Sequence, residues 1–211
     1  MSEATFEFDG VPLLLRPGVV MTPRATTQEL VVAAARLIGD RPATVADVGT
    51  GSGAIAVAIA RRAPRATLWA TDTCVHAVLL ARANARLRGV GDRVHVLHGD
   101  LLDGVPGPVD LVVANLPYLP HADRDRYPDL RGEPDDAVFA DGDGLDPYRR
   151  LLGAAEGRLS EDGAVIIQLH RRALLARRPE LAALQNRLAS ATLAAIQDEF
   201  RLRHSAFPAR S

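Results

Sequence analysis

The chain has 211 residues, 47% hydrophobic and 24% charged, which suits one domain with a sizeable core. Its formal net charge of −1 gives no global pull toward nucleic acid or an anionic membrane. All 25 basic residues are Arg, so the phosphate-loop lysine, the Schiff-base lysine and the kinase strand lysine are excluded together. In chain order, Phe6 to Phe8, the pair Asp9-Gly10 and Val11 to Leu15 predict a β-hairpin with a tight turn, ended by Pro17-Gly18. Thr27 to Gly39 predicts a helix with Leu30, Val31, Ala34 and Leu37 on its buried face. Strands and helices then alternate. Thr44 to Val48 is strand, Gly53 to Ala63 helix, Thr67 to Thr71 strand, Val75 to Leu87 helix, and Val94 to His98 and Val109 to Ala114 strands. Pro120 to Asp143 reads as a polar loop, Tyr148 to Leu159 as a helix and Ala164 to Leu169 as a strand. Pro179 to Phe200 reads as one amphipathic helix with a Leu181, Leu184 and Leu188 stripe.

This alternation predicts an α/β fold, a doubly wound and mostly parallel sheet with an N-terminal hairpin and a helical C-terminus. No linker divides the chain: residues 1–40 form the hairpin and first helix, 41–170 the core, and 171–211 a helical end. No apolar stretch is long enough to span a bilayer. The N-terminus, with Glu3, Phe6 and Glu7, is unlike a signal peptide. Cys74 is the only cysteine, so an internal disulfide is excluded and a reducing cytoplasm is expected. Its expected role is that of a small buried apolar residue.

The chemistry gathers at strand ends, where open α/β sheets bind ligands. Asn115-Leu116-Pro117-Tyr118 closes the Val109 to Ala114 strand. An Asn side chain and the Leu116 carbonyl can accept both N–H bonds of a flat NH2 group. Tyr118 can cover its face, and Pro117 can fix the backbone. Asp47-Val48-Gly49-Thr50-Gly51-Ser52-Gly53 follows the first core strand, and its glycines let a ligand approach the backbone closely. It also satisfies the looser dinucleotide pattern, with Gly49, Gly51 and Ala54 in register. Asp72 ends the next strand, where a carboxylate can take ribose hydroxyls; Asp100, before Leu101, ends the third and can accept from an adenine amine. A nicotinamide enzyme would share Asp72, but Asp100 joined to Asn115 favours S-adenosylmethionine as cofactor.

These residues resemble the protein-(glutamine-N5) methyltransferases that modify peptide-chain release factors, class I S-adenosylmethionine-dependent enzymes with a Rossmann-like fold. The resemblance runs from about Phe6 to about Gln168. It rests on the glycine loop, on Asp72 and Asp100, on Val19 to Val31 with Pro23-Arg24, and on Glu133-Pro134, Ala137 and Gly142 to Asp146 with Tyr148. It implies cofactor contacts at Asp47, Gly49, Thr50, Gly51, Gly53, Asp72, Asp100, Leu101 and Asn115. It implies acceptor contacts at Pro23, Arg24, Leu116 and Tyr118, with Asn115, Pro117 and Tyr118 catalytic. The family usually carries Asn-Pro-Pro-Tyr. The Asn-Leu-Pro-Tyr form is common in ribosomal-RNA adenine dimethyltransferases, which keeps an adenine or small-molecule amine open as the acceptor, although near-neutral charge argues against nucleic acid. The N-terminal docking domain of bacterial members is not expected in this sequence. Members without it work with a small partner subunit, so an activating subunit or a homodimer is a further expectation.

Other constellations fall away. His95 and His98 point to opposite faces of one strand, so no metal set forms. Asp141-Gly142-Asp143-Gly144 fails as a calcium loop at Leu145 and Leu152. The Arg171-Arg172 and Arg177-Arg178 pairs read as a solvated face.

Overall fold

Asp9 and Gly10 both have positive φ, 53° and 71°, as the two central residues of a tight hairpin turn require. They join β1 (Ala4–Phe8) to β2 (Val11–Leu15) in antiparallel register, Phe8 opposite Val11. The structure is a computed structural model, and it describes residues 4–170 and 192–198. After the hairpin come α1 (Ala25–Ile38), β3 (Ala43–Val48), α2 (Ala54–Arg62), β4 (Ala66–Asp72), α3 (Val75–Leu87), β5 (Val94–His98) and β6 (Val109–Ala114). Then follow β7 (Leu119–Pro120), α4 (Asp135–Val138), β8 (Phe139–Ala140), α5 (Asp146–Ala155), β9 (Leu159–His170) and β10 (Thr192–Asp198).

Six strands form one parallel sheet in the order β10-β9-β6-β3-β4-β5. The chain winds outward one way from β3 through β4 to β5, then the other way through β6 and β9. The order therefore reverses between β3 and β6, and a crevice opens there beyond the strand ends. Strand residues alternate between two cores. Val45, Leu111, Val113 and Ile166 pack against α1 and α2; Ala46, Val112, Ala114 and Ile167 pack on the other side with Tyr148, Leu151 and Leu152 of α5. Helix α2 is apolar and buried all round from Ala54 through Ala60, and turns to exposed Arg61 and Arg62 only at its end. At the open edge, Arg82 of α3 donates from Nε and Nη2 to Val96 O of β5, at 3.1 and 2.8 Å.

Four expectations change. Leu37 is exposed, so the buried face of α1 is Leu30, Val31 and Ala34 without it. The polar loop from Pro120 to Asp143 carries 3₁₀ turns at His121–Arg126 and Pro128–Leu130, the short α4, and strand β8 beside β7. Helix α5 stops at Ala155, and Leu159 already begins β9. Most consequentially, Thr192–Asp198 is strand and not the end of a helix, pairing with β9 from Ala164 to His170. Its Leu-Ala-Ala run favours helix intrinsically, but an open parallel edge offers a full ladder of hydrogen bonds that overrides propensity. The rest of that predicted helix, with its leucine stripe and the two Arg pairs, lies outside the described residues.

Candidate active site

A cavity of about 690 Å3 fills the crevice at the switch point. Its floor is the turn after β3, Val48 to Ser52; its walls are Asp72 to Cys74 after β4, Gly99 to Leu101 after β5, and Asn115 to Pro117 after β6. Residues Gly18 to Pro23 and Pro134, Asp136 and Ala137 close the outer side.

The glycine turn is held by its neighbours. Gly49 and Thr50 N–H groups donate to Thr71 O at 2.9 and 3.0 Å. Gly49 has φ of 70°, a conformation side chains rarely adopt, and a Cβ there would lie 2.6 Å from Leu116 Cδ2 and push that side chain aside. Gly53 (φ 79°) meets Ala81 of α3 in the same way, with a Cβ only 2.9 Å from that Cβ. Asn84, fully buried in α3, ties the turn to the hairpin. Its Nδ2 donates to Ser52 O at 2.8 Å and Leu14 O at 2.9 Å, and its Oδ1 accepts from Leu14 N at 2.7 Å.

The acids divide by face. Asp72 Oδ2 accepts from Gly51 N at 2.9 Å and Oδ1 from Cys74 N at 2.8 Å. Each carboxylate oxygen has two lone pairs, so both oxygens can still accept from hydroxyls in the cavity. Asp100 is paired with Arg150 of α5, and both line the cavity. Leu101 sits at φ 49°, an uncommon conformation for leucine, with its carbonyl pinned by the Thr71 hydroxyl at 2.6 Å.

Asp47 is a correction: it does not line the cavity. It is fully buried, and its Oδ2 accepts from Thr50 Oγ1 of the glycine turn at 2.6 Å and from Ala56 N of α2 at 3.1 Å. Burial pushes its carboxyl up from 3.8 to about 7, against the pull of those two hydrogen bonds. Between those values the folded protein holds a proton that the unfolded chain releases. The stability tied to this group is therefore full below 3.8 and is lost as pH rises toward about 7. Asp47→Asn carries no such titration. Its melting temperature should be flatter than the parent's from about pH 4 to about pH 8, and an unchanged slope would contradict the shift.

The Asn115 turn is clamped by Tyr148. Tyr148 Oη accepts from Leu116 N at 3.0 Å and lies 2.6 Å from Gln168 O and 3.0 Å from Leu116 O. One hydroxyl donates one proton, and the shorter contact marks Gln168 O as its acceptor. Leu116 O thus keeps lone pairs for another donor. Tyr148→Phe leaves Leu116 N–H and Gln168 O buried without this partner. It should destabilise the protein by about 1–3 kcal/mol, read by urea unfolding; no change in midpoint would refute the clamp.

The structure brings Gly49, Thr50, Gly51, Asp72, Asp100, Leu101, Asn115, Leu116, Pro117 and Pro23 onto one cavity. Gly53 is not on its wall and serves helix packing. Tyr118 and Arg24 instead line a second cavity of about 260 Å3 with Met21, Arg126, Tyr127 and Leu130, and Met21 and Ala137 border both. Cys74, expected to be buried, is half-buried on the main cavity's wall. Sequence reasoning missed Asn84, Arg150 and Gln168, whose partners lie 32, 50 and 142 residues away along the chain.

The cavity fits S-adenosylmethionine. Small-molecule sites occupy roughly 300–1,000 Å3, glycines bare the backbone on one side, and two carboxylates at successive strand ends supply acceptors for a nucleoside. Gly49, Gly51, Asp72, Asp100, Leu101 and Asn115 are the residues that would hold it.

Comparison with known proteins agrees. The family model described as Methyltransferase small domain matches residues 27–128. Release factor glutamine methyltransferase from Moorella thermoacetica is 41% identical over 166 residues, covering 77% of this chain and 58% of that protein. The protein of the same name from Deinococcus radiodurans is 44% identical over 126 residues, covering 59% and 45%. The chain thus spans about half the length of these relatives. The solved structure of ribosomal protein L11 methylase from Lactobacillus delbrueckii subsp. bulgaricus superposes with a TM-score of 0.59 at 28% identity, covering 81% of this chain and 74% of that one. By its strand-end site and these matches, the chain has the fold of class I S-adenosylmethionine-dependent methyltransferases and is similar, over the matched residues, to the release factor glutamine methyltransferases.

Proposed function

We propose that this chain methylates the side-chain amide nitrogen of a protein glutamine, with a release factor as the acceptor protein. The observation that carries the reading is Asn115 and Leu116 on the same cavity as Asp72 and Asp100. Bound S-adenosylmethionine supplies an electrophilic methyl group on a sulfonium. An amide nitrogen is a weak nucleophile because its lone pair is delocalised. Asn115 Oδ1 and Leu116 O accept its two N–H bonds, which localises the lone pair and aims it. Pro117 holds the turn rigid, and Tyr148 holds Leu116 from behind. Tyr118 lies on the second cavity, so it grips the acceptor chain beside the amide, together with Arg24. Positioning of this kind contributes about 7–11 kcal/mol to catalysis, with no strong base required.

The test is incubation with S-adenosylmethionine and a recombinant release factor, followed by peptide mass mapping. One added methyl on a glutamine side chain is the expected result. Methylation of an adenine oligonucleotide or a free metabolite, with none on the protein, would overturn the acceptor assignment.

A further inference from the structure

A second side-chain amide stands beside Asn115. Ala114 of β6 pairs with Ile167 of β9, so the next residues, Asn115 and Gln168, share one level of the sheet. The Tyr148 hydroxyl bridges the two strand ends there, accepting from Leu116 N at 3.0 Å and donating to Gln168 O at 2.6 Å. Gln168 is fully buried, and its Nε2 donates to Thr26 Oγ1 of α1 at 3.2 Å. Its Oε1 has no hydrogen-bond partner among the described residues. A buried carbonyl left unpaired costs about 1–3 kcal/mol. Such a cost points to a donor that arrives during the working cycle.

Asn115 is the side-chain donor that the register places level with Gln168 on the neighbouring strand. A carboxamide can present either its oxygen or its NH2 to the cavity. Only the oxygen can accept from a substrate amide; the NH2 would face another NH2. Something must therefore select one orientation. We propose that Gln168 is a positioning residue for Asn115. Once the cofactor is seated, Gln168 Oε1 accepts one Nδ2–H of Asn115, and Asn115 Oδ1 is turned toward the acceptor nitrogen. This rests on the role given to Asn115 above. Catalytic hydrogen bonds are often open before ligands bind, which agrees with an unpaired Oε1 here.

The opposite polarity, with Gln168 Nε2 donating to Asn115 Oδ1, would block the acceptor, and two variants separate the cases. Gln168→Glu, studied above the pH at which its buried carboxyl ionises, keeps an acceptor and loses the donor. Gln168→Leu loses both. The probe is S-adenosylhomocysteine, and the readout is 1H–15N NMR of the Asn115 side-chain amide, assigned by its disappearance in Asn115→Asp. In the parent and in Gln168→Glu, saturation with the probe should slow exchange of one Nδ2 proton about tenfold or more; in Gln168→Leu it should not. Methyl transfer should follow. Gln168→Leu should lose about tenfold or more in kcat with KM for the cofactor within about twofold, and Gln168→Glu should stay within about threefold of the parent. The proposal is overturned if Gln168→Leu matches the parent, if Gln168→Glu fails as Gln168→Leu does, or if the parent shows no slowed proton. Should Gln168→Leu fail to fold, the parent and Gln168→Glu spectra still decide. Should the parent transfer no methyl to a release factor, the acceptor assignment falls while the exchange data still judge Gln168.

Discussion

Asn115→Ala should lower kcat for methyl transfer about a hundredfold and leave cofactor affinity within about twofold. The side chain lines the main cavity just past β6, beside the glycine turn and opposite the outer wall formed by Gly18 to Pro23. In the proposed mechanism it accepts one N–H of the incoming nitrogen, an interaction that matters most as that nitrogen develops its lone pair. Removing one preorganised partner of that kind costs about 2.7 kcal/mol or more, the hundredfold loss expected here. The backbone turn does not depend on it, because Tyr148 holds Leu116 through main-chain groups. Urea unfolding should therefore give the parent's midpoint. Steady-state kinetics with the release factor, beside calorimetric titration with S-adenosylhomocysteine, separate the two effects. Parent-like kcat would remove Asn115 from the mechanism.

Asp72→Ala should act on the other axis. The affinity for S-adenosylhomocysteine should fall a hundredfold or more, because two hydrogen bonds to a charged group, each worth about 1.5–3 kcal/mol, are lost. The carboxylate serves twice. It accepts from Gly51 N at 2.9 Å and Cys74 N at 2.8 Å, which shapes the cavity wall, and in the proposed site its remaining lone pairs would accept from ribose hydroxyls. Asp72→Asn keeps one acceptor oxygen and should fall between Asp72→Ala and the parent. At saturating cofactor the Asp72→Asn variant should recover most of the parent's kcat, since no N–H of the acceptor is lost. Equal affinity across all three proteins would show that the nucleoside binds elsewhere.

Much of this site was legible because strand ends are marked locally. Asp9-Gly10 announces a turn that demands positive φ, and Gly49 does the same where Leu116 crowds the backbone. Val109 to Ala114 is apolar enough to be a buried strand whatever surrounds it. What failed was set by contacts that residue spacing does not reveal. Asp47 stands at a strand end like Asp72 but accepts from the backbone of α2, and spacing alone does not distinguish the two. Tyr118 leaves the main cavity because the chain after Pro117 runs beside β8, with Tyr118 N donating to Val138 O at 3.3 Å. The segment from His121 to Leu145 has no period to read. Its short turns are fixed by such pairings and by Gly144 (φ 85°), where a Cβ would collide with the Tyr118 carbonyl. Thr192–Asp198 has a helical composition and becomes strand only because β9 offers it an edge.

The central claim is that one crevice between β3 and β6 holds the methyl donor against the Asn115 turn. The crystal structure of the protein with S-adenosylhomocysteine tests it most directly. The account predicts the ribose on Asp72, the adenine beside Asp100 and Leu101, and the sulfur turned toward Asn115. Density for the ligand in the second cavity, or with its sulfur pointing away from Asn115, would contradict it.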